Sequence, residues 1–177
     1  MEVEVDKLKQ EVFSDDWEQV KYACNRLGEI GGEEVFWFLL TLLEFDNSGI
    51  RSRAALALRD MADSRAVKPL IAAIRKPANH NYTGTMVYAL ETLECGNYLK
   101  EIFEILFYES YESKVSAFNI LDEQEFEFTR GDLYAIKSMW EGCKKAPETC
   151  PAYEDAKDEI QRDVDWFMHF LEEEGGE

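Results

Sequence analysis

The stretch RSRAALALRDMADSRAVKPLIAAIRK, Arg51 to Lys76, reads as two helices joined by a short break. Its first half is rich in Ala and Leu, the best helix formers. Ala54, Leu58 and Met61 recur at helical spacing. Asp63 and Ser64 then offer capping side chains for a second helix, and Pro69 falls in that helix's early turns, where a missing N–H costs least. Val67, Leu70, Ile71 and Ile74 give the second apolar stripe.

The same pattern recurs along the chain. VKYACNRLGEIGGEEVFWFLL, from Val20, places Ala23, Leu27 and Ile30 at an offset of 31 residues, with Gly31–Gly32 as the turn and Val35 and Leu39 opening its second stripe. MVYALETLECGNYLKEIFEILF, from Met86, places Ala89 and Leu93 35 residues beyond Ala54 and Leu58; its second helix carries Leu99, Ile102, Phe103 and Leu106. KVSAFNILDEQ, from Lys114, places Ala117 and Leu121 a further 28 residues on. Its partner helix is GDLYAIKSMWEGC, with Leu133, Ile136, Met139 and Trp140. Four helical hairpins result, and repeats of this length stack so that neighbours bury one continuous core.

The pattern resembles HEAT repeats, most of all the short HEAT-like form of phycocyanobilin lyase subunits, whose VRxxAAxALGxIGDxxAVPxLIxAL core returns about every 31 residues. Ile50–Ile74 matches it closely, and Val20–Leu40 keeps LGEIG intact. The third and fourth units rest on spacing. The resemblance covers about residues 17–145. It implies an all-α fold, a right-handed HEAT/ARM-like solenoid of about four hairpins with capping terminal helices. One domain over 1–177 is expected: an N-terminal cap at 1–16, repeats at 17–145, a Pro-containing loop at 146–151 and an amphipathic capping helix at 152–174. On that last helix Tyr153, Ile160, Val164, Phe167, Met168 and Leu171 form the apolar stripe, and Asp and Glu fill the other face. The loop PANHNYTG, Pro77–Gly84, is the longest turn-rich insertion.

Composition narrows function. The 177 residues carry 37 Asp+Glu against 19 Lys+Arg, a net charge of −18, with 46% hydrophobic residues, enough for a folded globular chain. The charge is uneven: −8 over 1–48, +5 over 49–83, −6 over 84–147 and −9 over 148–177. A field this negative repels phosphate, so direct nucleic-acid binding is disfavoured and a basic protein partner favoured. HEAT-like DNA glycosylases read DNA through a basic face, and the charge here is reversed. No apolar run is long enough to span a membrane, and MEVEVDKLKQEV lacks the pattern of a secretory signal. The four cysteines form no CxxC pair and read as free thiols of a cytoplasmic protein; Cys143 and Cys150 flank a Pro-containing loop.

No catalytic constellation emerges. His80 and His169 have no metal-type spacing. There is no GxSxG and no GxxxxGK[ST]. HEAT-fold metal hydroxylases use His-Glu pairs, and this chain has no His-Glu dipeptide. Arg130–Gly131–Asp132 reads as a helix start. No metal and no cofactor is expected, and the chain is read as a non-enzyme, a monomer when free.

In HEAT arrays the second helices line the concave side. That resemblance, with the core stripes subtracted, leaves Glu34, Trp37, Thr41 and Glu44 in the first repeat. It leaves Arg65, Lys68, Arg75 and Lys76 in the second. Glu101, Glu104 and Tyr108 remain in the third, and Tyr134 and Glu141 beside Lys137 and Ser138 in the fourth. Trp37 and Tyr108 fit either an exposed interface or the core from another angle. Aromatic rings beside carboxylates suit a basic protein partner. The sharpest form is an immunity protein that covers the active site of a nuclease toxin, since nucleases are basic. A general scaffold or assembly factor, or a bilin-lyase-like subunit, are the alternatives.

Overall fold

A computed structural model describes residues 2–173. Ten α-helices follow one another: α1 (Glu2–Glu11), α2 (Trp17–Ile30), α3 (Glu33–Leu42), α4 (Ser48–Met61), α5 (Val67–Ile74), α6 (Gly84–Leu90), α7 (Leu99–Tyr108), α8 (Tyr111–Glu123), α9 (Arg130–Lys145) and α10 (Tyr153–Glu173). No strand occurs among the described residues. The all-α class and the stacked helical construction are those the repeats imply. Position 174, the last of the expected capping helix, lies outside the described residues. The backbone groups into two compact units that meet between Glu94 and Cys95.

In the first unit α2, α4 and α6 pack side by side, α3 packs on α4, α5 on α6, and α1 covers α2. The main packings join helices that are neighbours in the stack, as in a solenoid. The α2–α4 contact is the most extensive and is made by small residues. Ala54, Ala55, Ala57 and Leu58 are fully buried. A methyl at Gly28 would stand 3.0 Å from the Ala57 carbonyl oxygen and 3.1 Å from its Cα. The two backbones therefore meet where a side chain would hold them apart.

The turns follow the local chemistry. Asp16 and Asn47 cap α2 and α4 through backbone N–H groups of Glu18, and of Gly49 and Ile50. Asp63 caps a 3-10 turn at Ser64–Ala66 that leads into α5. The repeat offset is kept in the backbone: Gly31 ends α2 at φ 65°, and Ala62, 31 residues on, ends α4 at φ 52°. Gly takes that left-handed conformation freely and Ala at a cost.

The third pair departs from expectation. α6 stops at Leu90, so Leu93 lies past the helix, although it stays buried. α6 lies in the first unit, with α4 and α5, and α7 in the second, packed on α8 and α9. A stretch of turns from Glu91 to Tyr98, with Gly96 in it, takes the place of a tight hairpin turn. In the second unit, the residues after α8 run extended. The Cys95 N–H donates to Gln124 Oε1 at 2.8 Å, and the Glu127 N–H donates to the Gly96 carbonyl at 2.9 Å. This segment carries Phe126 and Phe128 onto Phe167 of α10, with ring centroids 6.2 and 5.7 Å apart. Arg130–Asp132 is indeed a helix start: Thr129 and Asp132 form a reciprocal capping box on α9.

On α10 the buried stripe is Ala156, Ile160, Val164 and Phe167, and Asp163 lies among them, 8% exposed. The expectation that acids fill only the outer face is corrected at this residue.

Candidate protein-interaction surfaces

Arg51 is 6% exposed and donates to the carbonyls of Phe45 (2.7 Å) and Asp46 (2.8 Å), closing the turn before its own helix. Arg59 lies over the Tyr88 ring at 4.5 Å and Arg53 over Trp17 at 5.9 Å. Arg65 pairs with Glu33 at 2.7 Å and Asp63 at 2.6 Å, and its guanidinium covers the Phe36 ring at 4.6 Å. Lys76 pairs with Glu44. Both Glu33–Arg65 and Glu44–Lys76 span 32 residues, about one repeat. Stacking the repeats thus sets acids of the first against bases of the second. Hydrogen bonding to Arg65 holds the Glu33 and Asp63 carboxyls below their ordinary range and raises the Arg65 value. These pairs are solvent-exposed, so they orient and neutralise more than they stabilise.

The proposed contact residues fall in two groups. Glu34, Trp37, Thr41 and Glu44 belong to the first unit. Trp37 is 57% exposed, on the solvent side of α3, and its indole N–H donates to Glu33 Oε2 at 3.0 Å. Glu34 pairs with Lys9, and Glu44 with Lys76. The Thr41 hydroxyl donates to the Phe38 carbonyl at 2.7 Å. All four of these polar groups are therefore engaged within the chain.

Glu101, Glu104, Tyr108, Tyr134 and Glu141 belong to the second unit. Tyr134 is exposed on α9, with Lys137 and Ser138 beside it on the solvent side. Glu141 pairs with Lys144 at 2.6 Å, which lowers its carboxyl. Glu101 and Glu104 are half-buried on α7. Tyr108 differs in kind. Burial raises its hydroxyl above the usual range, and it touches Cys143, so the ring belongs partly to the interior.

That interior holds a polar cluster the sequence did not announce. Lys114 is fully buried on α8; its Nζ donates to the Leu106 and Phe107 carbonyls, and lies 3.9 Å from Cys150 Sγ. Burial lowers the Lys114 value. The Cys143 thiol hydrogen-bonds Cys150; that bond, and next the Lys114 ammonium, favour the Cys150 thiolate against the effect of burial. All four cysteines are free and buried. Burial pushes Cys24 up to about 11 and Cys95 up to about 12, which suppresses their thiolates.

A second surface lies on α10. Trp166 is 61% exposed and Phe170 lies against it, ring centroids 5.2 Å apart. Between the end of α8 and α10, Leu121, Asp122, Gln124, Arg162, Asp163, Trp166 and Phe167 line a cleft of about 310 Å³. The sequence signal was available: 156, 160, 163 and 167 are spaced 4, 3 and 4 residues apart, so an acid at 163 falls on the apolar stripe.

Among the described residues, no group of His, Cys, Asp and Glu is arranged to hold a metal ion, and no helix is long and apolar enough to cross a membrane. Helix pairs stacked at a near-constant offset define the class, a helical-repeat protein of the kind that binds other proteins. The family model for HEAT repeats matches residues 5–91, nearly all of the first unit, and that stretch is similar to HEAT repeats. No curated protein matches the chain.

Proposed function

We infer that the protein is a non-catalytic HEAT-repeat scaffold module whose partner is a basic protein. The distribution of charge carries the reading. Residues 1–94 hold 16 Asp+Glu and 11 Lys+Arg, net −5, and two bases of the second repeat, Arg65 and Lys76, pair with acids of the first. Residues 95–177 hold 21 Asp+Glu and only 8 Lys+Arg, net −13. The carboxylates of that stretch outnumber its bases by 13, and Tyr134 and Trp166 supply exposed rigid rings in the same unit. Aromatic anchors within a negative field suit a partner rich in Lys and Arg, and association should be fast and salt-sensitive. Inhibition of a nuclease, by covering the basic surface that holds nucleic acid, is the most specific form of this reading. The partner would then be met in the cytoplasm, before the nuclease can act.

Affinity capture from the source cell's lysate at about 50 mM and about 500 mM salt, read by mass spectrometry, tests it. A basic protein captured near stoichiometrically at low salt and lost at high salt is expected. Enrichment of acidic proteins, or capture indifferent to salt, overturns it. Should the partner be a nuclease, its activity must be lost in the complex for the inhibitor form to hold. Colour on co-expression with a bilin would favour a lyase-like subunit instead.

A further inference from the structure

The cleft between α8 and α10 holds a buried carboxylate with one oxygen unpartnered among the described residues. Asp163 is 8% exposed. Its Oδ1 accepts from Arg162 Nε at 3.1 Å, but its buried Oδ2 has no hydrogen-bond partner among the described residues. A buried, unsatisfied carboxylate oxygen is costly, and native folds retain such groups mainly where something completes them. The surroundings favour a cation. Asp122 lines the same cleft, and the cleft opens at the C-terminal end of α8, where unpaired carbonyls concentrate partial negative charge. The Trp166 ring, 61% exposed, offers a flat π-face at the rim, and Leu121 and Phe167 give the walls an apolar stretch. Arg162 is the one base among the described residues that line the cleft. It is spent on Asp163 Oδ1 and on Glu159 at 3.5 Å, and its side chain stays largely in solvent. At about 310 Å³ the cleft is at the small end of ligand sites and suits one long side chain.

We propose that this cleft receives an arginine side chain of the basic partner: its guanidinium lies against the Trp166 ring, and a turn of the Asp163 carboxylate brings Oδ2, which is covered in the free protein, to accept from it. Arginine fits better than lysine. Its planar fork stacks on an aromatic face while donating in the ring plane, and its stem covers apolar wall. The inference rests on the reading of a basic protein partner and names how that partner is gripped. Burial raises the Asp163 carboxyl above its usual range, with Arg162 opposing and Asp122 and Glu159 reinforcing, and a bound guanidinium would reverse that shift.

The test uses N-acetyl-arginine amide and the full chain, with the four tryptophan indole N–H signals followed by NMR. The Trp166 signal should shift saturably, with those of Trp17, Trp37 and Trp140 still. In Asp163→Asn the shift should be lost while the other three signals keep their positions, which shows that the fold is intact. An absent shift, or one unchanged in Asp163→Asn, overturns the proposal. An equal response to N-acetyl-lysine amide overturns the choice of guanidinium. The probe needs no protein partner, so the cleft is read independently of lysate capture. If the amide binds but Asp163→Asn captures the basic partner as well as the parent does, this inference falls and the broader reading stands. If no basic partner is captured at all, the broader reading falls, and the partner's arginine with it.

Discussion

The contact between α2 and α4 makes one sharp prediction, because the same substitution at two glycines should have opposite effects. Gly28 and Gly142 both lie inside helices, α2 and α9. Ala is a better helix former than Gly by about 0.8–1.0 kcal/mol, so each Gly→Ala change carries the same local gain. At Gly142 nothing lies within 4 Å of the added methyl, and the gain is kept. At Gly28 the methyl meets Ala57 at 3.0 Å (oxygen), 3.1 Å (Cα) and 3.3 Å (Cβ). Two of those atoms are backbone, which cannot swing away, so α4 must shift. Overpacking of this kind costs about 1–3 kcal/mol. Gly142→Ala should therefore stabilise by somewhat under about 1 kcal/mol, and Gly28→Ala should range from near neutral to a loss of about 2 kcal/mol. Hydrogen exchange resolved by segment reads each unit separately. Protection of α9 amides should rise in the first variant, and protection of α2 and α4 amides should fall in the second. Equal stabilisation by both would refute the close approach of α2 and α4, and with it the packing that defines the repeat.

Other consequences follow from single residues. Ala62→Gly should stabilise the first unit by about 0.5–1 kcal/mol, because it relieves a left-handed alanine where the preceding repeat has Gly31; denaturant unfolding checks it. Asp163→Asn should be more stable than the parent at about pH 7. Below 3.8 both states hold the Asp163 proton and no penalty exists; as pH rises through the raised folded value, the unfolded chain has already ionised and the buried carboxyl must follow, so the parent loses stability that Asn keeps. Urea midpoints of the two proteins should therefore converge as pH falls toward about 4.

Much of the fold was legible in the sequence. Ala54, Leu58 and Met61, and their counterparts 31 residues earlier, specify α4 and α2 because small and apolar residues at helical spacing can pack only on another helix. The third pair was harder. Ala89 and Leu93 keep the spacing, but α6 ends at Leu90, and nothing in the apolar pattern separates a buried residue in a helix from one in a turn. The extended segment with Phe126 and Phe128 was hidden for a related reason: its alternating acids and aromatics gain their place from Gly96 and α10, both distant in sequence.

The surface was less legible than the core. Exposure of Tyr134 is fixed by which face of α9 is buried, and spacing shows that; spacing leaves Trp37 open between core and interface, and only the packing of α3 puts it in solvent. Pairing is not fixed by spacing. Lys76 and Arg65 neutralise acids one repeat away because successive repeats stack, and that dimmed the first-unit surface. Lys114 reads as an ordinary surface lysine until α7 and the Cys143–Cys150 loop are folded over it.

The most direct test of the account compares two variants in partner capture at about 50 mM salt. One carries Glu104→Gln, Tyr134→Ala and Glu141→Gln in the second unit; the other carries Glu34→Gln, Trp37→Ala and Glu44→Gln in the first. The second-unit variant should lose the basic partner and the first-unit variant keep it, since residues 95–177 carry a net charge of −13 and residues 1–94 only −5. Loss of the partner from the first-unit variant alone would contradict the account.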